Sequence, residues 1–203
     1  MKQLTPRAFL NYVAFGISAI FSPYVAAAIF IVLIVYRYAQ DLNQFLPWML
    51  AFFVFAIVLP GFYILWLLEA RKISDIHMAN ANDRKIPLLV AAISSVVGAV
   101  VLYFLHAVKP VFVISVVYAI NSLALALVTQ KWKISVHTGT YATIATVATV
   151  IFGWQFAWLY LVLIPLAWSR IFRKRHTFWQ ATAGALMSIF LTLLTLWVFG
   201  YIR

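Results

Sequence analysis

Uncharged apolar runs of about 20 residues recur along nearly the whole chain, and a helix of that length and character crosses a bilayer core. Charged residues make up only 9% of the 203 positions and hydrophobic residues 66%, whereas soluble domains carry about 25% charged residues. So little polar surface excludes a water-soluble globular domain. The expected architecture is an all-α integral membrane protein, a bundle of about six to seven transmembrane helices. It forms a single domain over residues 1–203. Aromatic residues reach 17%, including 8 Trp, as suits rings that face lipid and anchor at headgroups. The absence of cysteine excludes disulfides and thiolate metal sites. No small-residue cleavage site follows the weakly charged start MKQLTPRAFLNY, so the first apolar segment is read as retained.

That first stretch, from Phe9 to Ala39, would measure ~45 Å as helix, which is too long for one upright span and too short for two. Ser22-Pro23 interrupts it. The expectation is an interfacial or tilted piece before Pro23, then a span from Tyr24 to Tyr38. Further spans are read over Pro47–Leu68, with Pro60 as a kink, and over Pro87–Leu105, Pro110–Thr129, Ser135–Phe152, Trp154–Trp168 and Phe178–Val198. Gly153 marks a tight turn between two of them. This parity delivers the loops 69–86, 130–137 and 169–177 to one side of the membrane.

The shared side carries Lys2, Arg7, Arg71, Lys72, Arg84, Lys85, Lys131, Lys133, Arg170, Arg173, Lys174 and Arg175, against Arg37, Lys109 and Arg203 on the other. The excess of positive charge places this side in the cytoplasm of a cell (inner) membrane protein. Basic loops of this kind commonly only set topology and bind anionic lipid headgroups. Here, however, His77, His137 and His176 occupy the same three loops. Arginine offers planar paired donors, lysine a point charge, and imidazole serves as nucleophile or proton donor near neutrality. Together they suit a bound phosphate. The chain has only four acidic residues, Asp41, Glu69, Asp75 and Asp83, so a magnesium site built on two Asp-rich motifs is hard to assemble. No metal and no cofactor are expected, nor any nucleic-acid partner, and nothing in the sequence indicates an oligomeric state.

The segment Ser169-Arg170-Ile-Phe-Arg-Lys-Arg-His176 has the SR-x5-H spacing of the type 2 phosphatidic acid phosphatase superfamily. Ser135-Val136-His137-Thr138 resembles that family's Ser-Gly-His motif, and Asp83-Arg84-Lys85-Ile86-Pro87 a degenerate form of its Lys-x6-Arg-Pro motif. The resemblance covers residues 70–190, with a phosphatase-like core over about 70–200, and the motif order and shared face agree with it. It implies a metal-independent lipid phosphate or diphosphate phosphatase. His176 would be the nucleophile and form a phosphohistidine, and His137 would protonate the leaving oxygen. Arg170, Arg84 and the Ser135 region would hold the phosphate, helped by backbone N–H groups at the start of the fifth span. The family's first lysine has no clean match, and His77, Lys85 and Lys133 are the candidates for its role. Gln180 stands where the family has an aspartate that orients the nucleophile. It sits four residues after His176 and is expected to orient that ring by a hydrogen bond. In a serine protease triad the analogous loss of charge costs about 10⁴ in turnover.

Two other functions stay open. A phosphatase-like protein of weak or no activity would bind or transport an anionic lipid. An intramembrane prenyltransferase would draw on Asp75 and the DRKIP run, and lacks a second acidic cluster. In every case the partners are the bilayer and a membrane lipid phosphate.

Overall fold

A computed structural model describes residues 5–73 and 82–203. The protein is an all-α membrane bundle. Its helices are α1 (Pro6–Ile20), α2 (Pro23–Tyr38), α3 (Leu42–Phe53), α4 (Leu59–Glu69), α5 (Lys85–Phe104), α6 (Lys109–Thr129), α7 (Val136–Phe152), α8 (Leu163–Phe172) and α9 (Phe178–Val198). Among the described residues, six helical segments are long and apolar enough to cross a membrane, and Val136–Phe152 is a shorter apolar helix.

The helix starts follow from local chemistry. Thr5, Ser22, Asp41, Ser135 and Thr177 each turn a side-chain oxygen onto a backbone N–H of the first turn of α1, α2, α3, α7 and α9. Proline opens α1 and α2, where its missing N–H costs no helical hydrogen bond. The break expected at Ser22-Pro23 is therefore a cap followed by a proline at the first helical position. Between α7 and the next helix, Gly153 takes φ +106°, a conformation that favours glycine.

Pro60 does more than kink its span. The segment Leu42–Glu69 runs as one element through a π-helical turn, Val54–Val58, between α3 and α4. The Leu59 N–H reaches back to the Val54 carbonyl, so the Phe55 carbonyl loses its usual donor, and Pro60 has no N–H to replace it. Ser94 Oγ of α5 donates to that carbonyl at 2.6 Å. In a bilayer a freed carbonyl needs such a partner.

Contacts at the two ends of the bundle fix the topology. At one end the Ser135 N–H donates to the Gln180 carbonyl at 3.1 Å, and Gln130 Nε2 donates to the Lys85 carbonyl at 3.3 Å. The first joins the starts of α7 and α9, and the second joins the start of α5 to the end of α6. At the other end Trp48 Nε1 donates to the Leu105 carbonyl at 3.3 Å, Tyr38 stacks on Phe152, and Phe112 meets Phe199 edge-on. The described parts of the three loops expected to share a side thus lie at one end.

A close crossing lies at that end. A Cβ on Gly184 of α9 would stand 2.6 Å from the Ser135 carbonyl, and one on Gly139 of α7 would stand 2.9 Å from Ser188 Oγ. The missing side chains let α7 and α9 approach backbone to backbone, as small residues do in membrane interfaces. Thr138 Oγ1 donates to the Ala181 carbonyl across the same crossing at 2.8 Å. Deeper in the bundle Asn121 Nδ2 donates to Thr192 Oγ1 at 3.1 Å and ties α6 to α9. Large apolar side chains such as Phe62, Ile93 and Phe190 remain exposed on the outside, where lipid tails solvate them.

Candidate functional site

The last turn of α8 extends further than its sequence suggested. The basic run 169–176 was expected as a loop following Trp168, but α8 continues to Phe172, so Ser169 and Arg170 are helical. Leu166, Ser169 and Arg170 are its buried residues, and α1, α7 and α9 pack against this helix. Arg170 is 5% exposed and Arg84 7%. Arg84 ends a short 3₁₀ turn, Asn82–Arg84, and its side chain is brought inward just before α5. Both arginines line a cavity of about 310 Å³ together with His137, Arg173 and Ser18. The remaining wall is largely apolar and descends between α2, α4, α5, α6 and α7, past Ala27, Ala56, Leu88 and Leu125.

His176 lies in the turn between α8 and α9 and is 5% exposed. It belongs to this cluster without forming part of the cavity wall. Its Nδ1 stands 3.3 Å from the Lys133 carbonyl. A carbonyl only accepts, so Nδ1 carries the hydrogen and Nε2 of the neutral ring keeps its lone pair. Burial, and then the positive charges of Arg84, Arg170 and Lys133, push its pKa down to about 3, against a smaller upward pull from the Lys133 carbonyl. Burial, followed by Arg84, Arg175 and Arg170, likewise lowers the Lys133 pKa. Among the described residues, His176 Nε2 and Arg170 Nε are buried without a hydrogen-bond partner. Buried polar atoms are rarely left so, and like charges crowded in this way are relieved by an anion. Arg170 Nε is a donor that suits an oxyanion such as phosphate, whereas His176 Nε2 offers only its lone pair.

The sign of the His176 shift gives a direct test. A lowered imidazole pKa keeps the ring neutral and takes on a proton only as pH falls through about 3. Nitrogen NMR of the unliganded protein is expected to show Nδ1–H with bare Nε2 throughout roughly pH 5 to 8, the range in which an ordinary histidine titrates. Lys133→Ala, which removes one of the three charges, is expected to raise the pKa. Titration at the ordinary value in the unaltered protein would contradict this electrostatic account.

Of the residues singled out in the sequence, Arg84, Arg170, Lys133, His137 and His176 come together. Gln180 does not act as expected. Its Oε1 accepts from the Thr177 N–H at 3.0 Å while Thr177 Oγ1 accepts from the Gln180 N–H. This reciprocal capping box of α9 commits the side chain, and the Lys133 carbonyl holds the His176 ring instead. Ser135 is fully buried, caps α7 through the Thr138 N–H, and is not on the cavity wall. Lys85 begins α5 and also stands off the wall. His77 and Asp75 lie outside the described residues.

Ser18 of α1 was not anticipated. It is 5% exposed, accepts a hydrogen bond from Arg170 Nη1, and lies 3.5 Å from His137 Nε2. The available signal was a hydroxyl placed one turn after Ala14 within an apolar run. Comparison with models of protein families, with curated proteins and with solved structures finds no match to this chain.

Proposed function

We propose that the protein is a metal-independent membrane lipid phosphatase, acting on a phosphate or diphosphate monoester and working through a phosphohistidine. One observation carries the reading. Arg84 and Arg170 stand at the basic end of a largely apolar cavity that they line with His137, and the same two arginines act on the neutral, buried imidazole of His176. A headgroup between the arginines would have a nucleophilic nitrogen on one side and a proton donor on the other, with its hydrocarbon beside the apolar wall.

In the first step the His176 Nε2 lone pair attacks phosphorus and forms a P–N bond. The P–O bond to the lipid breaks, and the leaving oxygen takes a proton from His137. In the second step His137, now neutral, removes a proton from water as the water oxygen attacks phosphorus. The P–N bond breaks, inorganic phosphate leaves and His176 is neutral again. Arg84 and Arg170 stabilise the equatorial oxygens throughout. The excess of basic residues on this face favours the cytoplasmic side of a cell membrane for the site.

Phosphate release from phosphatidic acid, phosphatidylglycerophosphate and a polyprenyl diphosphate tests the reading on purified protein. The expected result is release from at least one of them, unaffected by EDTA and blocked by vanadate. Loss on chelation, or no release from any, would reject it. A second reading, an anionic-lipid binder without turnover, is favoured by one feature. The His176 Nδ1–H meets a neutral peptide carbonyl and so lacks the carboxylate that would steady a developing positive charge. Lipid binding without any phosphate release would select it.

A further inference from the structure

The buried face of α1 consists of Ala14 and Ser18, one helical turn apart. Small residues at this spacing let a helix approach its neighbour closely, here α8. Packing alone would be served by alanine at both positions. The Ser18 hydroxyl adds a hydrogen bond from Arg170 Nη1 and an approach of 3.5 Å to His137 Nε2. Ser18 also forms part of the cavity wall between Phe15 and Ser22. A serine within an apolar helix commonly bonds back to its own backbone, whereas this hydroxyl faces two groups of the basic cluster.

A hydroxyl has one hydrogen to donate and two lone pairs. Arg170 occupies one lone pair. When His137 is protonated, its Nε2–H fits the second, and the hydroxyl hydrogen is left for an anion in the cavity. When His137 has given up that proton, the same hydroxyl hydrogen turns to Nε2. One oxygen thereby links the guanidinium that binds phosphate to the imidazole that supplies the proton.

We propose that Ser18 is a positioning residue of the phosphate site, holding Arg170 and His137 toward a common anion and making the amino-terminal helix part of that site. The proposal rests on the phosphate-site reading above. Its test is a double-mutant cycle of Ser18→Ala and Arg170→Lys, read by vanadate affinity from calorimetry on the purified protein and by kcat and KM for a lipid phosphate. Hydrogen bonds to charged groups set the scale, so Ser18→Ala is expected to weaken vanadate binding and to lower kcat by roughly 10–100-fold each. KM and the thermal unfolding midpoint should change little. In the Arg170→Lys background the same substitution should cost far less, because residues sharing one network are not additive. Unchanged vanadate affinity and kcat in Ser18→Ala, or an equal loss in both backgrounds, would overturn the proposal. Vanadate affinity is read without turnover. A chain that binds vanadate through Arg170 but releases no phosphate therefore rejects the phosphatase reading while still deciding the role of Ser18. A chain with no affinity for vanadate rejects both.

Discussion

His176→Ala is expected to abolish phosphate release, with a fall in kcat on the order of 10⁴–10⁶-fold, the scale seen when a covalent nucleophile is removed. The size follows from the chemistry. Without Nε2 there is no atom to accept the phosphoryl group, and the neighbouring cations stabilise charge without forming a bond. The fold should tolerate the change, since the ring's hydrogen bond to the Lys133 carbonyl links two connections outside the helices. Vanadate affinity should persist through Arg84 and Arg170. Brief exposure to lipid phosphate labelled at phosphorus should leave an acid-labile, base-stable label on the unaltered protein and none on the variant. Full activity in His176→Ala would eliminate the proposed mechanism.

The second large effect is expected at Arg170. Arginines that stabilise a transferring phosphoryl group are worth about 10³–10⁵ in kcat, and Arg170→Ala is expected to lose activity in that range. Arg170→Lys keeps the charge and loses the planar fork, so it should recover only part, remaining on the order of 10²–10³ below the unaltered protein. A lysine variant with full activity would mean that charge alone matters and would remove Arg170 from the geometry of the reaction. The companion measurement is vanadate binding, which should fall in both variants. Arg170→Ala also removes a positive charge beside His176, so the ring's pKa should rise toward its ordinary value.

Gln180 shows how reading by position alone misleads. A residue four positions after a histidine lies over it only if both belong to one continuous helix. His176 precedes the Thr177 cap, outside the regular turn of α9. The side chain at 180 therefore faces the cap, and the peptide carbonyl of Lys133, distant in sequence, takes the orienting position. The π-helical turn before Pro60 was hidden for a related reason. Proline announced a distortion, while its form depended on Ser94 arriving from α5 to satisfy the Phe55 carbonyl.

The sequence by itself determined the all-α membrane class, the order of the apolar helices, the breaks at Pro23 and Gly153, and the gathering of the described basic stretches at one end. Those features arise from solvent preference and from residue-level backbone constraints, which act locally and leave periodic traces. Tertiary structure alone decided that Arg84 and Arg170 face one cavity, that His176 is buried where their charges lower its pKa, that Gln180 is a cap, and that Ser18 reaches Arg170 from a helix about 150 residues away in the chain. Each of these depends on which helices pack together, and hydropathy is a poor guide to that choice because most of the helices are largely apolar on their lipid-facing and packed sides alike.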